Sequence, residues 1–123
     1  MPKLTTKALA AWRAARVQCN GGRCGLCKLP IKLPRADHDH ATGAMRDAIC
    51  NGCNAVLGKI ENAYRRYGVQ NLSAFLHGAA TYLQLHTTDQ HGLIHPTHKT
   101  DDEKRILRNT RARAKRAAGK EAA

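Results

Sequence analysis

Apolar residues recur at helical spacing in three segments of the chain, and this pattern predicts three amphipathic helices. The predicted spans are Thr5 to about Gln18, Asn54 to about Tyr67, and about Asn71 to Leu85. The third helix has the clearest apolar stripe, formed by Leu72, Phe75, Leu76, Ala79 and Leu83. Its amphipathic character is therefore the strongest in the chain.

Residues suited to helix ends support these spans. Thr5 or Thr6 is available as the N-cap of the first helix, and the Asn-Gly-Gly run at 20–22 should end it. Gly68 stands where a C′ glycine should end the second helix. A fourth, highly charged helix should open at a capping box, Thr100 to Glu103, and end near Gly119.

Residues 23–53 have no helical period and are dense in Gly, Pro, Cys and His. Within them, Arg35 to His40 can run extended, residues 41–44 can turn the chain, and Met45 to Ile49 can return as a second strand. We therefore expect a β-hairpin followed by the second helix. Residues 87–99 also lack a period and should form a connector.

These elements predict a small α+β protein of 123 residues, organised as one domain with extensions. The expected parts are residues 1–68, with the first helix and the hairpin-helix core; residues 69–99, a helical packing or dimerisation region with the connector; and residues 100–123, a basic C-terminal helix or tail. With one Phe, one Trp and three Tyr, the core is thin. A chain of this kind needs a staple, such as a metal ion.

Four of the five cysteines form two identical C-x-x-C pairs, and two such pairs provide the four thiolates of a tetrahedral zinc site. The predicted ligands of this structural zinc ion are Cys24, Cys27, Cys50 and Cys53. Disulfides are the alternative, but each pair would form a strained short ring. Cys19 is left over and is expected to be a small buried residue or a free thiol.

The formal charge is +12, with 21 Lys and Arg against 9 Asp and Glu, which indicates a polyanionic partner such as DNA. No apolar run is long enough to span a membrane, and no secretory signal is visible, so we expect a cytoplasmic protein without a membrane partner. The C-terminal segment is the most basic, and either contacts phosphates or forms a solvated face. Its candidate DNA-binding residues are Lys104, Arg105, Arg108, Arg111, Arg113, Lys115 and Arg116.

The tetrapeptide Asp37-His38-Asp39-His40 lies between the cysteine pairs. On an extended strand its two aspartates point to one face and its two histidines to the other. A carboxylate suits a divalent cation and a neutral imidazole can accept a proton from water, so a metal site and a general base could be neighbours. The alternatives are a polar turn whose acids balance nearby arginines, or histidines that serve as spare zinc ligands. Asn54, which should open the second helix, could be an ordinary N-cap.

These residues resemble the phage recombination endonuclease VII family, a branch of the HNH (His-Me finger, ββα-metal) nucleases. The resemblance is carried by both C-x-x-C pairs, the Asp-His-Asp-His run, Gly43 and Arg46 of the hairpin, Asn54 and Gly58, and more weakly by Tyr82-Leu83 and Ile94-His95-Pro96. It covers most of the chain up to about Lys99 and does not cover the basic tail. It implies a zinc-stapled ββα-metal core with flanking helices.

The resemblance also implies roles for individual residues. Asp37 and Asn54 would bind the catalytic divalent ion, His38 would be the general base, and His40 would assist at the scissile phosphate. Magnesium or manganese suits these oxygen ligands better than zinc does. Where the best-known member has a glutamate shortly after the asparagine, this chain has Leu57, so that acid is absent or supplied elsewhere.

The function that follows is hydrolysis of DNA phosphodiesters, of the kind that resolves branched DNA such as Holliday junctions, in the host cytoplasm if the gene is from a phage. Nicking, homing or packaging nucleases that cut plain duplex are an alternative. A zinc-ribbon DNA-binding protein without catalysis and a packaging factor with a vestigial centre are others. Family members pair through the third helix, so a homodimer is expected; packing of its stripe on Leu9 and Trp12 within one chain is the competing arrangement.

Overall fold

The computed structural model describes residues 2–122 and has the predicted α+β class: four α-helices and one two-stranded sheet in the described part. The chain divides into two compact units, one ending at Ala80 and the other beginning at Thr81. Among the described residues, no helix has the length and apolar character needed to cross a membrane. The division into three parts at residues 68 and 99 stays a prediction.

Helix α1, Thr6–Cys19, agrees with the predicted span to within one residue. Thr5 is its N-cap, since the Thr5 hydroxyl accepts a hydrogen bond of 3.1 Å from the backbone N–H of Ala8. The glycines at 21 and 22 follow with positive φ angles of 61° and 74°, which L side chains rarely adopt. The chain therefore leaves the helix at the predicted place.

Strands β1 (Arg35–His38) and β2 (Met45–Ile49) pair antiparallel as the predicted hairpin. Strand β1 ends two residues earlier than expected, because the Asp39 carboxylate accepts hydrogen bonds from the backbone N–H groups of Ala41 and Thr42 and starts the turn. The register shifts between Ala36 and His38, so two residues of β2 lie opposite Asp37 alone. This bulge controls where the side chains near Asp37 point.

Helix α2, Asn51–Ala63, begins three residues before the predicted start, and a 3-10 turn over Tyr64–Tyr67 continues it to Gly68, where φ is 80°. The second cysteine pair causes the difference, because its turn is already helical and Cys50 is the N-cap. The expectation that Asn54 opens this helix was wrong. Asn54 lies in the first turn, and its backbone N–H donates to Cys50 O at 2.9 Å.

The buried set among the described residues is small: Cys24, Asp37, Ala48 and Ile49. Helix α1 is fastened to the hairpin by the Asp47 carboxylate, which accepts from Arg16 at 2.9 Å and from Asn20 at 3.0 Å. A Cβ at Gly25 would lie 2.5 Å from Asp47 Oδ2, so glycine is needed there. Because the buried core is small, the fold depends on polar contacts between its elements and on the cysteine cluster.

Helix α3, Leu72–Leu85, follows Asn71, whose side chain accepts from Ala74 N at 3.0 Å. Helix α4, Asp101–Ala122, is capped by the Thr100 hydroxyl, which accepts from Glu103 N at 3.2 Å, as the capping motif predicted. It runs past Gly119, where we expected it to end.

Candidate nuclease site and its cysteine cluster

Three cysteine sulfurs gather beside the hairpin. Those of Cys24, Cys27 and Cys53 lie within 4.8 Å of one another, as a shared metal ion requires. Cys50 stands outside this set of three, although its backbone N–H donates to Cys24 Sγ at 3.2 Å. No cysteine among the described residues, Cys19 included, forms a disulfide. Cys50 as the fourth ligand stays a prediction.

The surroundings of Cys24 favour a thiolate. Burial raises the pKa of this thiol, but backbone N–H groups of Cys50, Cys27 and Leu26 donate to its sulfur at 3.2 to 3.4 Å and lower the pKa to about 6. Burial and the neighbouring thiols of Cys27 and Cys24 raise the pKa of Cys53 to about 12. A cluster that holds one thiolate and crowds further thiols around it suits a zinc ion, which binds sulfur as thiolate.

Asp37 is buried on β1 and pairs with Arg46 of β2. Arg46 donates from Nε to Oδ2 at 2.7 Å and from a terminal nitrogen to Oδ1 at 3.0 Å. The same guanidinium donates to Glu61 of α2 at 2.9 and 3.1 Å. Hydrogen bonds to Glu61, and then to Asp37, raise the pKa of Arg46 above its ordinary value. The three side chains form one ion-pair network between hairpin and helix.

His38 and His40 lie on the exposed side of the hairpin, as the alternation predicted, with ring centroids 4.8 Å apart. Neither imidazole forms a hydrogen bond to another described residue. Asp39 does not join them, since it holds the turn, and the backbone N–H groups of Ala41 and Thr42 lower its pKa. Both imidazoles are therefore exposed, contact each other, and have no hydrogen-bond partner among the described residues.

The side chain of Asn54 is half-buried and forms no hydrogen bond or ion pair within residues 2–122. The N-cap role that would have explained it belongs to Cys50 instead. Helix α2 packs against β1, the strand of Asp37 and His38. The amide oxygen of Asn54 is therefore available as a ligand.

Sequence reasoning gave no role to Arg46 or Glu61. Arg46 was noticed only as part of the resemblance, and its partners depend on the bulge opposite Asp37. Glu61 had one usable signal: it follows Asn54 by seven residues, which places both on one face of α2. It is the carboxylate that this helix presents two turns beyond Asn54.

In the unit that begins at Thr81, α4 presents the basic residues that the sequence singled out. The positions Lys104, Arg108, Arg111 and Lys115 follow helical spacing and form one stripe. Arg105, off the stripe, is paired with Asp102 at 3.2 Å. All of the basic side chains of α4 are exposed.

A comparison with models of protein families matches residues 4–85 to the family described as recombination endonuclease VII. The match covers about two thirds of the chain, from just before α1 to the end of α3. It includes all five cysteines, the hairpin and Asn54. Helix α4 lies outside it.

Proposed function

The chain belongs to the recombination endonuclease VII family, and on that premise we propose that it is a metal-dependent DNA endonuclease of the HNH, or ββα-metal, type. The observation that carries the proposal is the exposed and unbonded imidazole of His38. Its imidazole is exposed, forms no hydrogen bond to another described residue, and directly follows the buried carboxylate of Asp37. An imidazole so placed can accept a proton from water near pH 7.

In the proposed reaction, His38 takes a proton from a water molecule while the water oxygen forms a bond to phosphorus. The bond from phosphorus to the 3′-oxygen breaks, which leaves a 5′-phosphate and, after protonation, a 3′-hydroxyl. The ring of His40, 4.8 Å from that of His38, is close enough to donate a hydrogen bond to the same phosphate group. The two histidines thus have separate roles.

Asp37 and Asn54 would hold a divalent cation, and their chemistry fits Mg²⁺ or Mn²⁺, which prefer oxygen ligands. Each Asp37 oxygen accepts one hydrogen bond from Arg46, which leaves a further lone pair on it, and the Asn54 oxygen has no partner among the described residues. When bound, such an ion would stabilise charge on the phosphate and the leaving oxygen.

The zinc ion would be structural. In this proposal Cys50 joins Cys24, Cys27 and Cys53, and four thiolates leave no open position for water. The role of the ion is to replace the apolar core that the chain lacks, since it joins the loop before β1 to the start of α2. Chemistry and folding then depend on different metals.

The DNA would be held mainly by its phosphates. The basic stripe of α4 gives four charges on one helix face, and such contacts supply affinity without reading sequence. Among DNA substrates we favour branched DNA, including four-way junctions, over plain duplex, because this follows the family's recombination role. Nicking of plain duplex is the alternative outcome.

The experiment compares cleavage of a four-way junction and of supercoiled plasmid, each with and without Mg²⁺. His38→Ala should slow cleavage by about 10² to 10⁴-fold. Asp37→Asn, which keeps the shape of the buried side chain, should abolish Mg²⁺-dependent cleavage. Zinc content should be unchanged in both variants. His98→Ala, an exposed histidine on the connector, is the matched control and should cleave normally. DNA binding without cleavage in any divalent metal would instead identify a non-catalytic zinc protein.

A further inference from the structure

A groove with a volume of about 620 Å³ opens beside His38. Its apolar lining includes Leu9 and Trp12 of α1 and Ala36 and Met45 of the hairpin. The volume lies in the range of about 300 to 1,000 Å³ that is usual for small-molecule sites. The groove is therefore large enough for a flat ring system.

Trp12 is not part of the buried core. It is the only tryptophan of the chain, yet it is only half-buried, and α1 has no fully buried residue. The buried apolar residues of the described chain lie elsewhere, at Cys24, Ala48 and Ile49. The indole on the wall of this groove is thus available to stack against a ligand.

The charge around the groove favours an anionic ligand. Lys3 lines it, and no described acidic residue does. The first turn of α1, which contributes Thr6 to the lining, contains no acidic residue either. A helix N-terminus attracts a phosphate group, so Lys3 and the start of α1 suit a phosphate, while Leu9 and Trp12 suit an aromatic ring.

From these observations we propose that the groove receives one unstacked nucleobase of the DNA, stacked on Trp12 and next to the phosphate at which His38 acts. The inference rests on the proposed function, and it deepens that function by defining the substrate. His38 lines the groove itself, so a nucleotide attached to the reacting phosphate reaches it without leaving the site. A paired, stacked base does not reach it, and unstacking costs least in unpaired or branched DNA. The groove therefore selects junctions, gaps and mismatches over plain duplex.

The single tryptophan makes a direct test possible, because its fluorescence, excited selectively over that of the three tyrosines, reports on this groove alone. Wild-type protein, without added divalent cation, is titrated with a short single-stranded thymidine oligonucleotide. The comparison strand has the same phosphates but an abasic sugar at every position. The thymidine strand should quench Trp12, and the abasic strand should not.

Two variants extend the test. Binding to these variants, which lack tryptophan, is followed by the fluorescence anisotropy of a dye-labelled strand. Trp12→Ala should weaken binding of the thymidine strand by on the order of ten-fold while leaving the affinity for the abasic strand unchanged, and Trp12→Phe should restore most of the loss. Zinc content shows whether each variant folds. If Trp12→Ala does not fold, the quenching of the wild-type protein still decides whether a base binds in the groove.

Equal quenching by the two strands would overturn the inference. It would leave the proposed nuclease function intact, because cleavage of plasmid or junction in Mg²⁺ tests that function separately. Quenching that requires the base, in a protein that never cleaves, would retain the groove as a base-binding site and reject the proposed nuclease function. A gapped duplex cut no faster than a matched duplex would also contradict the selection that we propose.

Discussion

Arg46 binds both carboxylate oxygens of Asp37, at 2.7 and 3.0 Å, while the same guanidinium also binds Glu61. The Asp37 side chain is only 7 % exposed, so this charge depends on its partner. Asp37 is also the residue that we expect to bind the divalent ion. Arginine and metal would then share one carboxylate, and the strength of the arginine contact should affect metal affinity.

Arg46→Gln is expected to destabilise the metal-free protein by about 2 kcal/mol, because it leaves the buried carboxylate without a cation. Mn²⁺ should recover part of this loss. The increase in Tm caused by Mn²⁺ should therefore be larger in Arg46→Gln than in wild type. Thermal unfolding of both proteins with and without Mn²⁺ checks this.

Glu61→Gln provides the matched comparison on the other side of the same guanidinium. It releases Arg46 from α2 and leaves Asp37 as its only carboxylate partner in the network. The Tm increase caused by Mn²⁺ should then be smaller than in wild type. Equal Mn²⁺ effects in all three proteins would show that Arg46 and the divalent ion do not compete.

Loss of the zinc ion should unfold the protein, because the buried residues alone form too small a core. We expect about one zinc ion per chain by elemental analysis. Cys53→Ser should abolish zinc binding and the cooperative unfolding transition. Cys19→Ser, at an exposed cysteine outside the cluster, is the control and should keep both. Folded protein without zinc would reject the structural role.

Asp47 should make stability depend on pH. Arg16 is the main cause that lowers the pKa of this carboxylate from its ordinary 3.8, so the ionised form is favoured in the folded state. Its contribution is therefore present above pH 3.8 and is lost as pH falls through the lower folded-state pKa. Asp47→Asn should cost roughly 1 kcal/mol at pH 7.

The measurement is the difference in unfolding free energy between wild type and Asp47→Asn, followed from pH 7 downward. Both proteins are compared only at pH values at which they still hold zinc, because loss of the ion should unfold either one. The difference should shrink below pH 3.8, and Arg16→Gln should remove most of the effect of Asp47→Asn at pH 7. If the difference in unfolding free energy grew as the pH fell, the predicted direction of the pH dependence would be wrong.

Local patterns predicted the elements of this fold well. Thr5 and Thr100 marked helix starts because capping needs only a hydroxyl and nearby backbone. The errors arose at Asn54 and Gly119, where the second cysteine pair starts α2 early and where glycine does not stop α4. Propensity ranks residues in isolation and does not include such context.

The candidate site was predictable only in part. The alternation of a strand separated buried Asp37 from exposed His38, as expected. The partners Arg46 and Glu61 were not predicted, because their approach depends on a bulge and on packing between distant segments. Spacing indicated the cysteine pairs, and the structure brings three of the four together.

The basic stripe of α4 should contribute to DNA affinity through its arrangement and not only through its charge. A variant with glutamine at Lys104, Arg108, Arg111 and Lys115 should flatten the slope of log Kd against log salt by up to about 3.6, since each phosphate contact contributes about 0.9. Glutamine at the off-stripe residues Arg105, Arg113, Arg116 and Lys120 removes the same charge and should have a smaller effect. Equal slopes would show that only net charge matters.

Helix α3 presents an apolar surface that the described chain leaves open. Phe75 is 50 % exposed and Leu83 is 66 % exposed, although both belong to the stripe that the sequence predicted. Within the first unit, Leu76 of the same stripe lines an apolar groove of about 810 Å³ together with Val56 and Leu57 of α2. Exposed apolar area of this kind favours a protein partner, and we expect a second copy of this chain.

Phe75→Glu should therefore shift the protein from dimer to monomer, because it places a charge in the centre of the expected interface. Light scattering at micromolar concentration should give about twice 13.5 kDa for wild type and near 13.5 kDa for the variant. Ala74→Glu adds the same charge to the opposite, exposed face of α3 and should stay dimeric.

Because a two-fold dimer presents one nuclease centre to each DNA strand, Phe75→Glu should also convert paired cuts in a junction into single nicks. A wild-type mass near 13.5 kDa, both free and on DNA, would reject the dimer and leave a monomeric nickase.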